Sequence, residues 1–245
     1  MTQYDGLEAD DIRERLGIPR AVVVEETGST MDVAHELAAE GAPAGTMVLA
    51  DAQSAGRGRP GRSWRSERGA GIWLTVIERP ADAQELDALP LRVGISLAPA
   101  LDAFAAGTVS IKWPNDLYVG TGKLAGVLTE ARWRGDSLEW VAIGVGINVL
   151  APTGEAAAGL TNGTRRLDVL SVAVPAIRDA AQRRGKLSER ELEIFAARDH
   201  AVGRECVEPV AGRVCGIDPS GALLVGLASG IVAVRSGSLV LKASS

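Results

Sequence analysis

The sequence predicts an α+β protein: a mixed or antiparallel sheet with flanking helices over residues 1–198, then a small all-β unit over residues 199–245. Three observations carry this expectation. β-branched runs of strand length are interleaved with longer segments of helical periodicity through most of the chain. Two apolar runs flank Gly135-Asp136 closely enough to form a long hairpin, which makes neighbouring strands antiparallel. From Gly203 onward only short β-like runs remain, punctuated by Gly, Pro and Ser.

Taken in order, Ala21 to Glu25 is a β-branched run, and Ser29 or Thr30 can cap a helix that runs through Glu40 and stops at Gly41. Thr46 to Ala52 and Ile72 to Ile77 read as strands. From Ala88 to Ala106, apolar residues at 89, 93, 97, 101 and 104 predict a helix interrupted near Pro99. Val109-Ser110-Ile111 enters a Pro114-Asn115-Asp116 turn that Leu117-Tyr118-Val119 leaves. Gly126 to Trp133 and Leu138 to Val149 form the hairpin, and glycines at 144 and 146 within its second strand mark the close approach of a ligand. Helices follow at about 166–183 and 188–198, then five short strands at 205–208, 212–217, 222–226, 231–235 and 239–242.

The composition, 46% hydrophobic and 23% charged, is that of an ordinary soluble protein. No apolar run approaches a membrane span, and the acidic start Met1-Thr2-Gln3-Tyr4-Asp5 has no basic-then-apolar pattern, so we expect no membrane association, no signal peptide and a cytoplasmic location. Cys206 and Cys215 lack metal-ligand spacing and read as buried free thiols. His35 and His200 stand apart from any cluster, which points away from histidine-based catalysis.

Against a formal net charge of −5, the stretch Gly56-Arg57-Gly58-Arg59-Pro60-Gly61-Arg62-Ser63-Trp64 concentrates positive charge. Between Arg57 and Arg68 five arginines face one acid, Glu67, so this loop carries a formal +4. Its glycines let backbone N–H groups approach a ligand, and guanidiniums offer forked donors that match phosphate or carboxylate. A solvated surface loop is the plain alternative. The stretch also matches the dinucleotide-binding G-x-G-x-x-G, but arginine and proline fill its variable positions and no helix opens within it, so that reading fails. The chain holds four lysines (112, 123, 186, 242) against 22 arginines, yet two fall eleven positions apart, in Lys112-Trp113-Pro114-Asn115-Asp116 and Lys123-Leu124-Ala125-Gly126. A compact ammonium is wanted there. Asn115 and Asp116 could orient a nucleotide or hold Mg²⁺ through oxygen, although both are ordinary turn formers.

The arginine loop, the two lysine motifs, Gly144-Val145-Gly146-Ile147-Asn148-Val149 and the upstream Ser29-Thr30 and Gln53 together resemble, in order, the motifs of biotin protein ligases. The resemblance covers residues 27–149 and implies a class II synthetase-like catalytic domain over 1–198 and an SH3-like barrel over 199–245. It implies a ligase that uses ATP and Mg²⁺ to convert biotin to biotinyl-5′-AMP and transfers it to a lysine of a biotin carboxyl carrier domain, such as that of acetyl-CoA carboxylase. Its implied biotin contacts are Ser29, Thr30, Gln53, Gly56, Arg57, Arg59, Lys123, Gly126 and Gly144. The implied nucleotide contacts are Arg59, Arg62, Trp64, Lys112, Asn115, Asp116 and Asn148, with Lys123, Lys112 and Arg59 catalytic and Asp116 on the metal. About twenty residues precede the first strand, too few for the family's DNA-binding module, so no repressor function is expected. A lipoate or octanoate transferase of the same superfamily is the alternative. Nucleic-acid binding is disfavoured because the basic residues are confined to one loop of an acidic chain. Monomers and homodimers both remain open.

Overall fold

The computed structural model describes residues 2–80, 86–154 and 156–243. Its first sheet is built from β1 (Ala21–Thr27), β2 (Thr46–Gln53), β3 (Gly71–Glu78), β4 (Val109–Lys112), β5 (Asp116–Val119), β6 (Gly122–Arg134) and β7 (Ser137–Asn148), ordered β1-β2-β3-β7-β6-β5-β4. Only β1 and β2 run parallel; every other pair is antiparallel. The helix between them, α2 (Thr30–Ala39), supplies the crossover a parallel pair needs.

The two faces of this sheet are packed differently, and the reason lies in the alternation of side chains. Met47 and Leu49, Ile72, Leu74 and Val76, and Val141, Ile143, Val145 and Ile147 all point into one hydrocarbon core. On that face lie α3 (Leu89–Leu101) and α4 (Arg166–Gln182), with α1 (Ala9–Leu16) packed on β1 and α4. The opposite face is only partly filled. There α2 lays Met31, Ala34 and Ala38 against Val48, Ile77 and Ala142, and the rest is left hollow.

Helix α1 has no counterpart in the sequence reading, although its signals are present: a reciprocal capping box between Glu8 and Asp11, and a left-handed Gly17 at its end. Pro99 does not interrupt α3, which runs on to Leu101 before a 3₁₀ turn at Asp102–Phe104. Near the last turn the missing N–H removes only one intrahelical bond, and the apolar stripe outweighs it.

Helix α5 (Glu189–Arg198) precedes β8 (Glu205–Glu208), β9 (Gly212–Ile217), β10 (Leu223–Leu227), β11 (Gly230–Val234) and β12 (Val240–Leu241). These pair as an antiparallel sheet of order β11-β10-β9-β8-β12, left open with β11 and β12 at its edges. Cys206 is buried there, but Cys215 is exposed, contrary to expectation, because its β9 position faces away from the core that Val214 enters. The sheet is tied to the lysine motif through Trp113, whose Nε1 donates to Gly221 O at 2.9 Å. No helix among the described residues is long and apolar enough to cross a membrane.

Behind α3, Arg92 and Glu191 form a buried ion pair at 2.9 Å, each side chain 3% exposed. Arg92 also donates to Gly185 O at 2.7 Å, and Glu191 accepts from Ser188 N at 2.8 Å, so the pair locks the α4–α5 connection onto α3. Without Arg92 the buried Glu191 carboxylate keeps only Arg183, at 3.3 Å, as a cationic partner, so Arg92→Met is expected to lower stability by about 3 kcal/mol. Urea unfolding measures this, and Arg92→Met with Glu191→Leu should recover most of the loss.

Candidate active site

The hollow face of the sheet becomes a floor through strand register. Asp116 pairs with Gly126, Gly126 with Gly146, and Gly146 with Trp73, so four strands contribute one row. The next row is Leu128, Gly144 and Thr75. Trp64, from the arginine loop, lies across the glycine pair: a Cβ at 146 would come within 2.5 Å of its ring and one at 126 within 2.9 Å. Gly144 instead faces Met31, whose sulfur would lie 3.2 Å from a Cβ there. The glycines expected to make room for a ligand thus also make room for protein side chains. Trp73 meets Trp64 edge-on at 6.4 Å.

Above this floor is a cavity lined by Ser29, Thr30, Gln53, Arg57, Arg59, Arg62, Trp64, Asn115, Asp116, Lys123, Gly126 and Gly144, all named from the sequence. Three expected residues do not line it. Gly56 lies in the loop's base, where a Cβ would meet Trp64 O at 2.4 Å; it lets the loop fold back on itself. Asn148 is buried with Nδ2 donating to Lys123 O at 3.1 Å, so it holds backbone. Lys112 ends β4 with its ammonium 5.4 Å from the Tyr118 ring centroid. Met31, Trp73, Leu128 and Gly146 line the cavity without having been assigned a role. Gly146 was legible as an inward glycine; Met31 and Trp73 look like ordinary core residues in sequence.

One wall is the N-terminus of α2. Ser29 caps it by accepting from Met31 N at 3.3 Å. Thr30 donates to Gln53 Oε1 from both its N–H (2.8 Å) and its hydroxyl (3.2 Å), and Thr75 lies 2.8 Å from the same hydroxyl. Gln53 Nε2 donates to Ser66 Oγ at 2.7 Å, joining the helix to the loop. The other wall carries charge. Lys123 Nζ pairs with Asp116 Oδ1 at 2.8 Å and lies 4.9 Å from the Trp64 ring centroid. Burial lowers the pKa of Lys112, opposed by the Asp116 carboxylate and reinforced by Lys123. Asn115 Nδ2 donates to Val127 O at 2.7 Å, while its buried Oδ1 and the Trp64 indole N–H have no partner among the described residues. Two unsatisfied buried polar atoms in one cavity are costly unless something else bonds them.

The loop is less basic in space than in sequence. Arg57 pairs with Asp32, Arg65 with Glu67, and Arg68 with Glu25, Glu26 and Asp51. Arg59 and Arg62 have no acidic partner among the described residues. Both reach the C-terminal sheet, where Arg59 donates to Gly237 O and, at 3.0 Å, to Ser238 Oγ, and Arg62 donates to Ser238 Oγ at 3.3 Å. Burial lowers the pKa of Arg59, partly offset by Asp116. Two guanidiniums and two ammoniums around one carboxylate make a cavity suited to an anion carrying several charges.

In sequence and in fold the chain is similar to known proteins. The sequence model of the biotin/lipoate A/B protein ligase family matches residues 23–148. The bifunctional ligase/repressor BirA of Bacillus subtilis is 43% identical over 122 residues, which is 49% of this chain and 38% of that protein. The biotin--[acetyl-CoA-carboxylase] ligase of Mycobacterium tuberculosis is 40% identical over 134 residues, 52% of this chain and 48% of that one. The chain thus matches less than half the length of either relative. The structure of the biotin protein ligase from Aquifex aeolicus in complex with biotin and ATP superposes with a TM-score of 0.76 at 26% identity, covering 92% of this chain and 100% of that one. Since residues 23–148 make up about half the sequence and contain every strand that floors the cavity, this chain belongs to the biotin/lipoate A/B protein ligase family.

Proposed function

We propose that this chain is an ATP-dependent ligase that activates biotin as biotinyl-5′-AMP and passes the biotinyl group to a lysine of a carrier domain, such as that of acetyl-CoA carboxylase. The convergence of Lys123, Asp116, Arg57, Arg59 and Arg62 on one glycine-floored cavity is the observation that carries this reading. The relatives named above are biotin ligases, which favours biotin over lipoate. We read residues 1–198 as the catalytic unit and 199–245 as the small C-terminal SH3-like unit.

In the first step a biotin carboxylate oxygen attacks the α-phosphorus of ATP and pyrophosphate leaves. A neutral lysine amine of the carrier then attacks the acyl carbon, AMP departs with the electron pair, and the amine proton passes to solvent. Both steps develop charge on phosphate oxygens, and fixed donors aimed at that charge supply about 3 kcal/mol each. Lys123, Arg57 and Arg59 are the groups placed for this, with Lys112 and Arg62 adding positive potential. Ser29, Thr30 and Gln53 serve the ureido end, beside the slot shaped by Gly126 and Gly144. Trp64, Asn115 and Asp116 order the nucleotide side, and Asn148 acts through the Lys123 backbone that it holds.

Mg²⁺ fits this donor set. Asp116 offers a carboxylate and Asn115 Oδ1 is an unpartnered buried oxygen, and Mg²⁺ is commonly held by one or two such oxygens together with phosphates and water. No cluster of three or more acidic, His or Cys side chains exists among the described residues, so the nucleotide itself would complete the coordination. Bound there, the ion would offset phosphate charge.

Incubation with biotin and MgATP is expected to give biotin-dependent exchange between pyrophosphate and ATP without a carrier, and an avidin-reactive product once a carrier domain is added. Exchange that ignores biotin refutes the reading. Lys123→Arg should lose on the order of 10²–10³ in turnover, because a planar head cannot replace an ammonium wedged between Asp116 and Trp64; single-turnover adenylation measures it. Since the Asp116 carboxylate raises the pKa of Lys112 against burial, its loss should let Lys112 deprotonate at lower pH. The pH–rate profile of Asp116→Asn should therefore lose its alkaline limb earlier than that of the unsubstituted protein.

A further inference from the structure

Beside Arg57 runs a chain of polar side chains that the proposed chemistry leaves unused. Trp140 Nε1 donates to His35 Nδ1 at 2.9 Å, and His35 Nε2 lies 3.0 Å from Glu130 Oε2. That same oxygen is 3.7 Å from Arg57 Nη2, which also pairs with Asp32 Oδ1 at 2.9 Å. Asp32 and His35 stand one turn apart on α2, Glu130 comes from β6 and Trp140 from β7. Three separate elements therefore meet behind one arginine of the loop.

The donors and acceptors of this chain admit one assignment. An indole N–H can only donate, so His35 Nδ1 is the bare nitrogen and the ring proton sits on Nε2. Nε2–H then donates to Glu130. A proton on Nδ1 would set two N–H groups against each other at 2.9 Å. Trp140 thus selects the tautomer, and the tautomer points a donor at Glu130, leaving that carboxylate one defined place opposite the guanidinium. Trp140 is itself 6% exposed and its ring stands 6.2 Å from that of His35, so the chain is anchored in the core.

Arg57 has five N–H donors, and the two acids lie against its Nη2 as ion pairs, Asp32 at 2.9 Å and Glu130 at 3.7 Å. None of its N–H groups makes a hydrogen bond to protein among the described residues, and Arg57 lines the cavity. We propose that Trp140, His35 and Glu130 are positioning residues for Arg57. They and Asp32 hold its guanidinium in place through ion pairing, so that its N–H donors stand ready for the carboxylate of the acyl substrate. This rests on the reading that the cavity binds a carboxylic acid for activation. A long flexible side chain in a glycine-rich loop gains directional value only if something holds it, and Asp32 alone leaves it free to rotate about a single contact.

Two measurements test this separately from the ligase reading. In the ¹⁵N spectrum of the imidazoles, with His35 assigned by its absence from His35→Gln, the ring is expected as the Nε2–H tautomer and is expected to lose that fixed state in Trp140→Phe. An Nδ1–H ring in the unsubstituted protein overturns the proposal whatever the activity. In biotin-dependent pyrophosphate exchange, Glu130→Gln and His35→Phe should lower kcat/KM for biotin by about 10- to 100-fold with KM for ATP unmoved. His35→Gln, which keeps an N–H toward Glu130, should recover most of the loss. Unchanged kcat/KM in Glu130→Gln, or a loss that falls equally on biotin and ATP, overturns the assignment. Absence of exchange in the unsubstituted protein would instead refute the ligase reading, and the proposal with it.

Discussion

Strand β7 has to be a pillar of the hydrocarbon core on one face and nearly bare backbone on the other. Val141, Ile143, Val145 and Ile147 point into the core, while Ala142, Gly144, Gly146 and Asn148 point away from it. Burying each of the four large residues contributes about 1.5–3 kcal/mol, whereas a glycine in a strand costs about 0.5–1 kcal/mol. The strand is therefore held from one side with enough surplus to leave the other side empty. Every later feature depends on this. The cavity exists because the second face is hollow, Trp64 can lie on the backbone because no side chain stands there, and α2 can come close because its own contact residues are small.

The electrostatics follow from where the chain places its few unpaired cations. Most loop arginines are neutralised by acids from β1, β2, α2 or the loop itself, leaving Arg59 and Arg62 beside the Lys112, Lys123 and Asp116 group. The positive character of the site is local, set inside a chain that is acidic as a whole. Such an arrangement draws an anion to one spot without making the entire surface sticky to polyanions. The C-terminal sheet takes part, because Ser238 receives both free arginines and Gly221 receives Trp113 from the lysine motif.

Local signals in the sequence located most of the architecture. The strands announced themselves by β-branched alternation, α2 by Ser29 and Gly41, and the long hairpin by Gly135-Asp136. Short-range rules failed where competing effects were close in size: α1 is eight residues with a weak apolar face, and Pro99 lies so near a helix end that its cost is small. For the site, residue type and spacing found the cavity-lining groups but could not say which charges would be cancelled. Asp32, Glu130 and Ser238 are brought to the loop only by folding, and Ser238 lies almost 180 positions downstream of Arg59. Likewise Lys112 and Asn148 belong to the right motifs yet sit just behind the cavity wall, a distinction made by strand register rather than by composition.

The scarcity of lysine around the cavity has a chemical implication under the proposed reading, in which a lysine-acylating intermediate forms there. An amine attacks an acyl carbon through its lone pair, whereas a guanidinium stays protonated and offers none. Lys123 is the one amine among the described residues that line the cavity; the cations beside it there are Arg57, Arg59 and Arg62. Under the proposed ligase reading, a cavity whose cations are nearly all arginines would hold an activated acyl group while offering it a single amine of its own, so the choice of arginine over lysine would limit self-acylation.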